Sequence, residues 1–200
     1  MKNALYFILI IITSCSPVLL NVPPDVTYNF TQKFENTILN IDSVIRIDGY
    51  FISKHYYNGI QTDCCPIMFF KDGSLIYNFN DYYLTDKKYI RNLPTCGTYT
   101  IKDNKITVQY IHHDFYNSSC FEVQYVIRNS ETLWLEYSKN LNTNDIVYNN
   151  SSKLDFIKSY KFVYLKEKPD SSFWMKEKWW FWADGDKYME YIQNGNTNEK

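Results

Sequence analysis

From about Ile45 to Leu165 the chain alternates apolar and polar residues with a period of two. That spacing belongs to half-buried β-strands rather than helices. Eight stretches carry it: 47–54, 66–71, 74–79, 97–102, 105–112, 121–128, 132–138 and 159–165. In the fifth, Ile106, Val108 and Tyr110 share one face, and Thr107, Gln109 and Ile111 the other. In the sixth, Phe121, Val123, Tyr125 and Ile127 oppose Glu122, Gln124 and Arg128. No stretch of helical period long enough for a crossover separates these strands, which disfavours parallel βαβ units and predicts an antiparallel meander.

The connections sharpen this. Lys71-Asp72-Gly73, Asp103-Asn104 and Asn129-Ser130-Glu131 read as tight hairpin turns, whereas 55–65, 80–96, 113–120 and 139–158 are long. Successive connections of a meander fall at alternate ends, so the short turns share one end and the long loops the other. The predicted fold is all-β: an antiparallel up-and-down eight-strand barrel with a plain base and an elaborated mouth, followed by a short C-terminal aromatic segment; a loop-rich sandwich is the alternative that gives a similar list of connections. Phe69, Tyr77, Phe79, Tyr99, Tyr110, Tyr125 and Phe162 are the bulky residues expected to point inward.

Composition agrees with sheet. Alanine occurs only at Ala4 and Ala183, while 18% of the 200 residues are aromatic and 19 are tyrosine. The formal net charge of −1 supplies no field for nucleic acid or an anionic surface. Residues 169–182 hold Phe173, Trp174, Trp179, Trp180, Phe181 and Trp182, which either cap the barrel as core or form a membrane-interface belt with Lys176 and Lys178. From Gly185 the sequence turns polar and reads as a frayed tail.

The N-terminus reads as a targeting signal: Lys2, the apolar run Ala4–Ile12, then Ile12-Thr13-Ser14-Cys15. The last four residues resemble a bacterial lipobox, which implies cleavage before Cys15 and acylation of that residue; the alternative is an uncleaved anchor over 4–22. Ser16 after the cysteine, by resemblance to enterobacterial sorting, implies the outer membrane, facing the periplasm. The chain divides accordingly into a signal peptide (1–14), a lipid-anchored spacer with Pro17, Pro23 and Pro24 (15–34), the barrel (35–168) and the aromatic segment with its polar tail (169–200).

Four further cysteines, Cys64, Cys65, Cys96 and Cys120, precede the second, fourth and sixth strands, whose starts share the mouth end. An even count in an exported chain predicts two disulfides, with four free thiols as the alternative. Neighbours on extended backbone point apart, so Cys64 and Cys65 are expected to pair with Cys96 and Cys120, in an order left open. His112-His113 diverge on a strand and cannot chelate one ion together; Asp184-Gly185-Asp186 lacks a calcium loop and reads as a turn. No metal, cofactor or catalytic motif is expected, and the chain is not read as an enzyme.

The run from Phe70 to Leu75 (FKDGSL) and that from Gly97 to Val108 (GTYTIKDNKITV) resemble bacterial lipocalin-like (calycin) proteins, small lipoproteins of Bacteroidetes type. Asp48-Gly49-Tyr50-Phe51 occupies the place where lipocalins carry Gly-x-Trp, with Phe51 for the Trp. The resemblance spans about 45–165 and implies the barrel. Tyr56, Tyr57, Tyr82, Tyr83, Phe115 and Tyr116 in the long loops are the expected recognition residues, each pairing apolar area with a polar edge. The expected function is a lipid-anchored envelope binding module holding a small apolar ligand or a partner at the mouth. The alternative is an envelope interaction protein with a filled barrel, inhibitor-like or an assembly accessory.

Overall fold

All eight period-two stretches are strands in the computed structural model of the protein, which describes residues 29–35, 40–57, 60–79, 95–113, 118–148, 159–171 and 174–197. The strands are β1 (Gly49–Tyr57), β2 (Ile60–Phe69), β3 (Ser74–Tyr77), β4 (Cys96–Lys102), β5 (Lys105–His113), β6 (Ser118–Asn129), β7 (Thr132–Asn140), β8 (Ile146–Tyr148) and β9 (Ser159–Tyr164). Neighbours β1 to β6 pair in order; β6 pairs with β7, β7 with β9 and β9 with β1, all antiparallel. The result is a closed eight-strand barrel, with β8 added outside the ring on β7.

The strands outrun their hydrophobic pattern at the mouth. β1 and β2 stay paired to Tyr57 and Ile60, and β5 and β6 to His113 and Ser118. The expected mouth loops 55–65 and 113–120 are therefore mostly strand, with 58–59 and 114–117 outside the described residues. Extending a ladder satisfies backbone groups that a loop would leave to water, and Tyr56, Tyr57 and Ile60 suit strands. The connection 139–158 contributes β8, which alternation over three residues cannot announce.

At the base, Asp103 and Asn104 both have positive φ (49° and 61°), the conformation of a two-residue hairpin turn matched to strand twist. Gly97 lets β4 approach β5: a Cβ there would lie 1.9 Å from the Gln109 carbonyl oxygen. A short 3-10 turn, Ile41–Ser43, plugs this end and buries Ile41 and Ile45 among the inward residues. Arg46 seals the rim, donating its backbone N–H to Ser130 O and pairing with Asp48 and Glu131.

Two apolar layers result, one inside the barrel and one outside. Phe69, Tyr77, Tyr99, Tyr110, Tyr125 and Phe162 belong to the inner cluster, as the alternation requires. Phe79 is a correction: it lies in the outer cluster. Asn78 before it takes φ 55°, ending the strand geometry that would have turned Phe79 inward. On the outside, Met68, Ile76, Cys96, Ile111 and Cys120 are each the pairing partner of the next, an apolar row crossing five strands.

That row is covered by the two ends of the described chain. Phe30 and Phe34 from the N-terminal arm and Met175, Phe181 and Trp182 from the C-terminal segment are all buried in the same cluster. Phe34 stacks on Phe181 (centroids 5.1 Å) and meets Trp182 edge-on (4.8 Å). Backbone bonds Phe34 N→Phe181 O and Ala183 N→Phe34 O, both 2.8 Å, fix the register. Two expectations change here. Residues up to 34 are not all spacer, because Phe30 and Phe34 are core. The tail from Gly185 does not fray at once: Gly185–Thr197 is a helix, α1, whose Tyr188 and Tyr191 rest on Trp182.

Candidate functional site

The mouth-facing half of the interior is built from tyrosine. Tyr110 on β5 stacks between Tyr77 on β3 (centroids 4.4 Å, planes 16° apart) and Phe121 on β6 (5.5 Å, 26°). Below them Tyr125 and Tyr160 meet edge to face at 5.1 Å. Tyr77 and Phe121 are partly buried, and Tyr110 between them is buried, so the ring stack forms a floor near the mouth-end halves of β3, β5 and β6.

The phenol groups of Tyr77, Tyr110, Tyr125 and Tyr160 converge, and Ser53 joins them from β1. Burial raises the pKa of all four, and neighbouring phenols raise those of Tyr110, Tyr125 and Tyr160 further. They stay neutral hydrogen-bonding groups at any physiological pH. The Tyr125 hydroxyl is buried and makes no hydrogen bond of good geometry. A buried polar atom without a partner costs about 1–3 kcal/mol, so it favours whatever acceptor or donor can reach it.

Of the expected recognition residues, Tyr56 and Tyr57 lie in β1, where only their backbone is described; Tyr82, Tyr83, Phe115 and Tyr116 lie outside the described residues, as does Cys15. The floor residues Tyr77, Tyr110 and Tyr125 were legible as inward-facing, but not that their hydroxyls would meet. Alternation puts Phe121 and Tyr160 on strands and gives them no role.

The expected disulfides from Cys64 and Cys65 to Cys96 and Cys120 are not formed. The structure instead brings the sulfur of Cys64 into close contact with that of its neighbour Cys65, and Cys96 and Cys120 remain thiols. The premise that adjacent residues point apart fails at this spot, because Cys65 takes φ 54° and the β1–β2 register slips between Phe51 and Ser53. The distances also fail. Cys96 is level with Met68, by way of Ile76, and Met68 is four residues past Cys64, or about 13 Å along the strand. Cys96 and Cys120 flank Ile111 across two strand spacings, roughly 10 Å. Both sulfurs lie beneath the aromatic cover, and burial pushes the Cys120 thiol up to about 12.

Among the described residues, pockets open beside the base and beside β8. One, of about 370 Å³, lies beside the base and is lined by Lys33, Ile41, Asp72, Thr98 and Tyr99 among others. Its charged groups are spent on the protein: Lys33 Nζ donates to Trp180 O, and Asp72 is held by Ser74, Ser171 and Lys176. The other, of about 280 Å³, lies beside β8 between Glu122, Tyr137, Lys139, Ile146 and Tyr148. There Tyr137 Oη and Gln109 Nε2 both donate to the Glu122 carboxylate. The opposite end of the same amide accepts from the backbone N–H groups of Thr31 and Gln32, which pins the arm to the wall. Neither pocket carries an unpartnered group of the kind found at the tyrosine floor.

Among the described residues no group of three or more His, Cys, Asp or Glu side chains is placed to hold a metal, and no helix is long and apolar enough to cross a membrane. His112 Nδ1 lies 3.0 Å from Thr95 Oγ1. Asp184 Oδ1 accepts from the backbone N–H of Asp186, capping α1. Set against known proteins, the chain matches no family model, no curated protein and no solved structure.

Proposed function

We propose that this chain is a lipid-anchored binding module of the bacterial envelope, acylated at Cys15, which takes a small apolar ligand with a hydrogen-bonding end at the barrel mouth. The observation that carries the reading is the floor of Tyr77, Tyr110 and Phe121, with the hydroxyls of Tyr77, Tyr110, Tyr125 and Tyr160 gathered about it. Stacked rings offer apolar area at little entropic cost, and the phenols beneath them offer a polar contact for one ligand group. No step of this reading needs a cofactor, a metal or a nucleic acid.

The decisive variant is Tyr125→Phe, measured with a dansylated fatty acid as fluorescent probe and with a hydrocarbon competitor. Removing the hydroxyl should weaken the carboxyl-bearing probe about tenfold, the worth of one hydrogen bond of about 1–1.5 kcal/mol, and leave the hydrocarbon's affinity unchanged. Equal binding of the probe by both proteins would sink the polar contact. The anchor is tested separately, by an acyl mass on Cys15 and its loss in Cys15→Ala.

A second reading is favoured by the same stack. Rings fill much of the described interior, as they would in a barrel whose mouth engages an envelope protein rather than a small molecule. No saturable binding of any hydrophobic probe by the parent protein would move the assignment to this reading.

A further inference from the structure

Among the described residues Trp179 is 73% exposed, more than Trp134, Tyr164 or any other large hydrophobic group of the outer surface. It sits in a short 3-10 turn, Trp179–Phe181, whose other two residues are tied to the N-terminal arm. Trp180 meets the Phe30 ring edge-on at 6.1 Å and its carbonyl accepts from Lys33 Nζ at 2.7 Å; Phe181 stacks on Phe34. The same C-terminal segment exposes Met189 on α1, 52% accessible. An exposed indole next to Lys178 in sequence, in a turn whose Trp180 carbonyl accepts from Lys33, has the amphipathic character that seats side chains at a membrane–water interface.

The position of the arm says which surface lies opposite this indole. Cys15 is fourteen residues before Asn29, and that length of chain spans at most about 50 Å. The described arm begins beside the turn that carries Trp179, with Phe30 on the Trp180 ring and Lys33 on the Trp180 carbonyl, so the tether joins the domain close to this indole. We propose that Trp179 and its flanking residues form a second, interfacial contact with the bilayer to which Cys15 anchors the chain. The inference rests on the anchoring reading above. One exposed indole is too weak a contact to hold a free protein on a membrane. Once the anchor makes the event intramolecular, the effective lipid concentration reaches the millimolar range and a weak contact becomes populated. The two contacts together would fix the orientation of the barrel and hold its mouth at a set angle to the surface.

The test uses the full acylated chain in phosphatidylethanolamine–phosphatidylglycerol vesicles, with and without brominated acyl chains, and reads tryptophan fluorescence. Brominated lipid should quench the parent. Trp179→Ser should lose most of that quenching, while Trp134→Ser, which removes an exposed indole from the barrel wall, should keep it. Because Trp179 is so exposed, its replacement should leave the melting temperature unchanged. Flotation of the vesicles and the acyl mass on Cys15 report the anchor independently. Normal flotation with equal quenching in parent and Trp179→Ser would overturn the interfacial contact and leave the anchor standing. An unacylated chain that does not float would overturn both.

Discussion

Lys176 is a lysine with almost no access to water: its side chain is 5% exposed, and its ammonium lies 2.6 Å from Asp72 Oδ2. Asp72 sits in the β2–β3 turn and also accepts from the backbone N–H and hydroxyl of Ser74 and from Ser171. This cluster ties the base of the barrel to the C-terminal segment, where Trp182 Nε1 donates to the Lys176 carbonyl. Replacing Lys176 by Met keeps the stem and removes the charge, leaving a largely buried carboxylate without its cation. Breaking a buried pair from one side costs about 3–5 kcal/mol, whereas removing both charges is close to neutral. Urea unfolding followed by tryptophan fluorescence should show Lys176→Met losing that amount at pH 7, and Lys176→Met combined with Asp72→Asn recovering most of it. The pH dependence has a definite sign. Burial pushes the Asp72 carboxyl up, but the charge and hydrogen bond of Lys176, with the Ser74 and Ser171 hydroxyls, outweigh it and hold the pKa below the ordinary value. A depressed carboxylate stabilises the fold above its unfolded pKa and loses that contribution as pH falls through the folded one. Parent stability should therefore drop below about pH 4 more steeply than that of the double variant. A Lys176→Met variant within about 1 kcal/mol of the parent at pH 7 would show that the pair is not what holds the segment.

Three further outcomes can be checked. Lys168 Nζ donates to the carbonyls of Ile47 and Phe69, and burial lowers its pKa from 10.5 to about 8. The unfolded chain then binds the extra proton between those values, so parent stability relative to Lys168→Met should rise with pH from about 8 to 10.5, by about 1.4 kcal/mol per pH unit; a flat difference in urea titrations would refute it. Phe34→Ala should cost about 3–5 kcal/mol, measured by thermal or urea unfolding, because it opens a cavity between Phe181, Trp182 and the barrel wall; a cost near zero would mean the arm is dispensable. Cys96 and Cys120 should resist iodoacetamide in the native protein and react on unfolding, as read by mass spectrometry, since both are buried and the Cys120 thiol stays protonated at neutral pH.

The barrel was legible because each strand's inner face is apolar against a more polar outer face, as with Val123 and Tyr125 against Glu122 and Gln124. That contrast survives in any register. The outer layer was not, for a reason visible in β5. Its outer face runs Thr107, Gln109, Ile111, polar at the base and apolar toward the mouth, and a single isoleucine in such a series looks like noise. Only when the strands are paired does Ile111 fall in line with Cys96, Ile76, Met68 and Cys120 to make a surface that needs cover. Phe30 and Phe34, which supply part of that cover, stand four residues apart beside a Pro-containing stretch that reads as spacer.

The same dependence on register decides the site. Alternation places Tyr110 and Tyr125 inside, but says nothing of the height at which their hydroxyls meet. That height is set by slips in pairing: between Phe51 and Ser53 on β1, where Cys65 takes a positive φ on the facing strand, and between Gln124 and Tyr125 on β6, where β7 gains a residue. Each slip moves one wall of the barrel against the next by a residue, about 3.4 Å. That is enough to decide whether a phenol finds a partner. Tyr160 reaches its place opposite Ser53 on one side of these slips, and Tyr125 lies beside the other. Tyr125 thus sits where the β6–β7 ladder breaks, and Tyr160 faces Ser53 beside the break between β1 and β2, so the two phenols meet at a height that pairing, not alternation, sets.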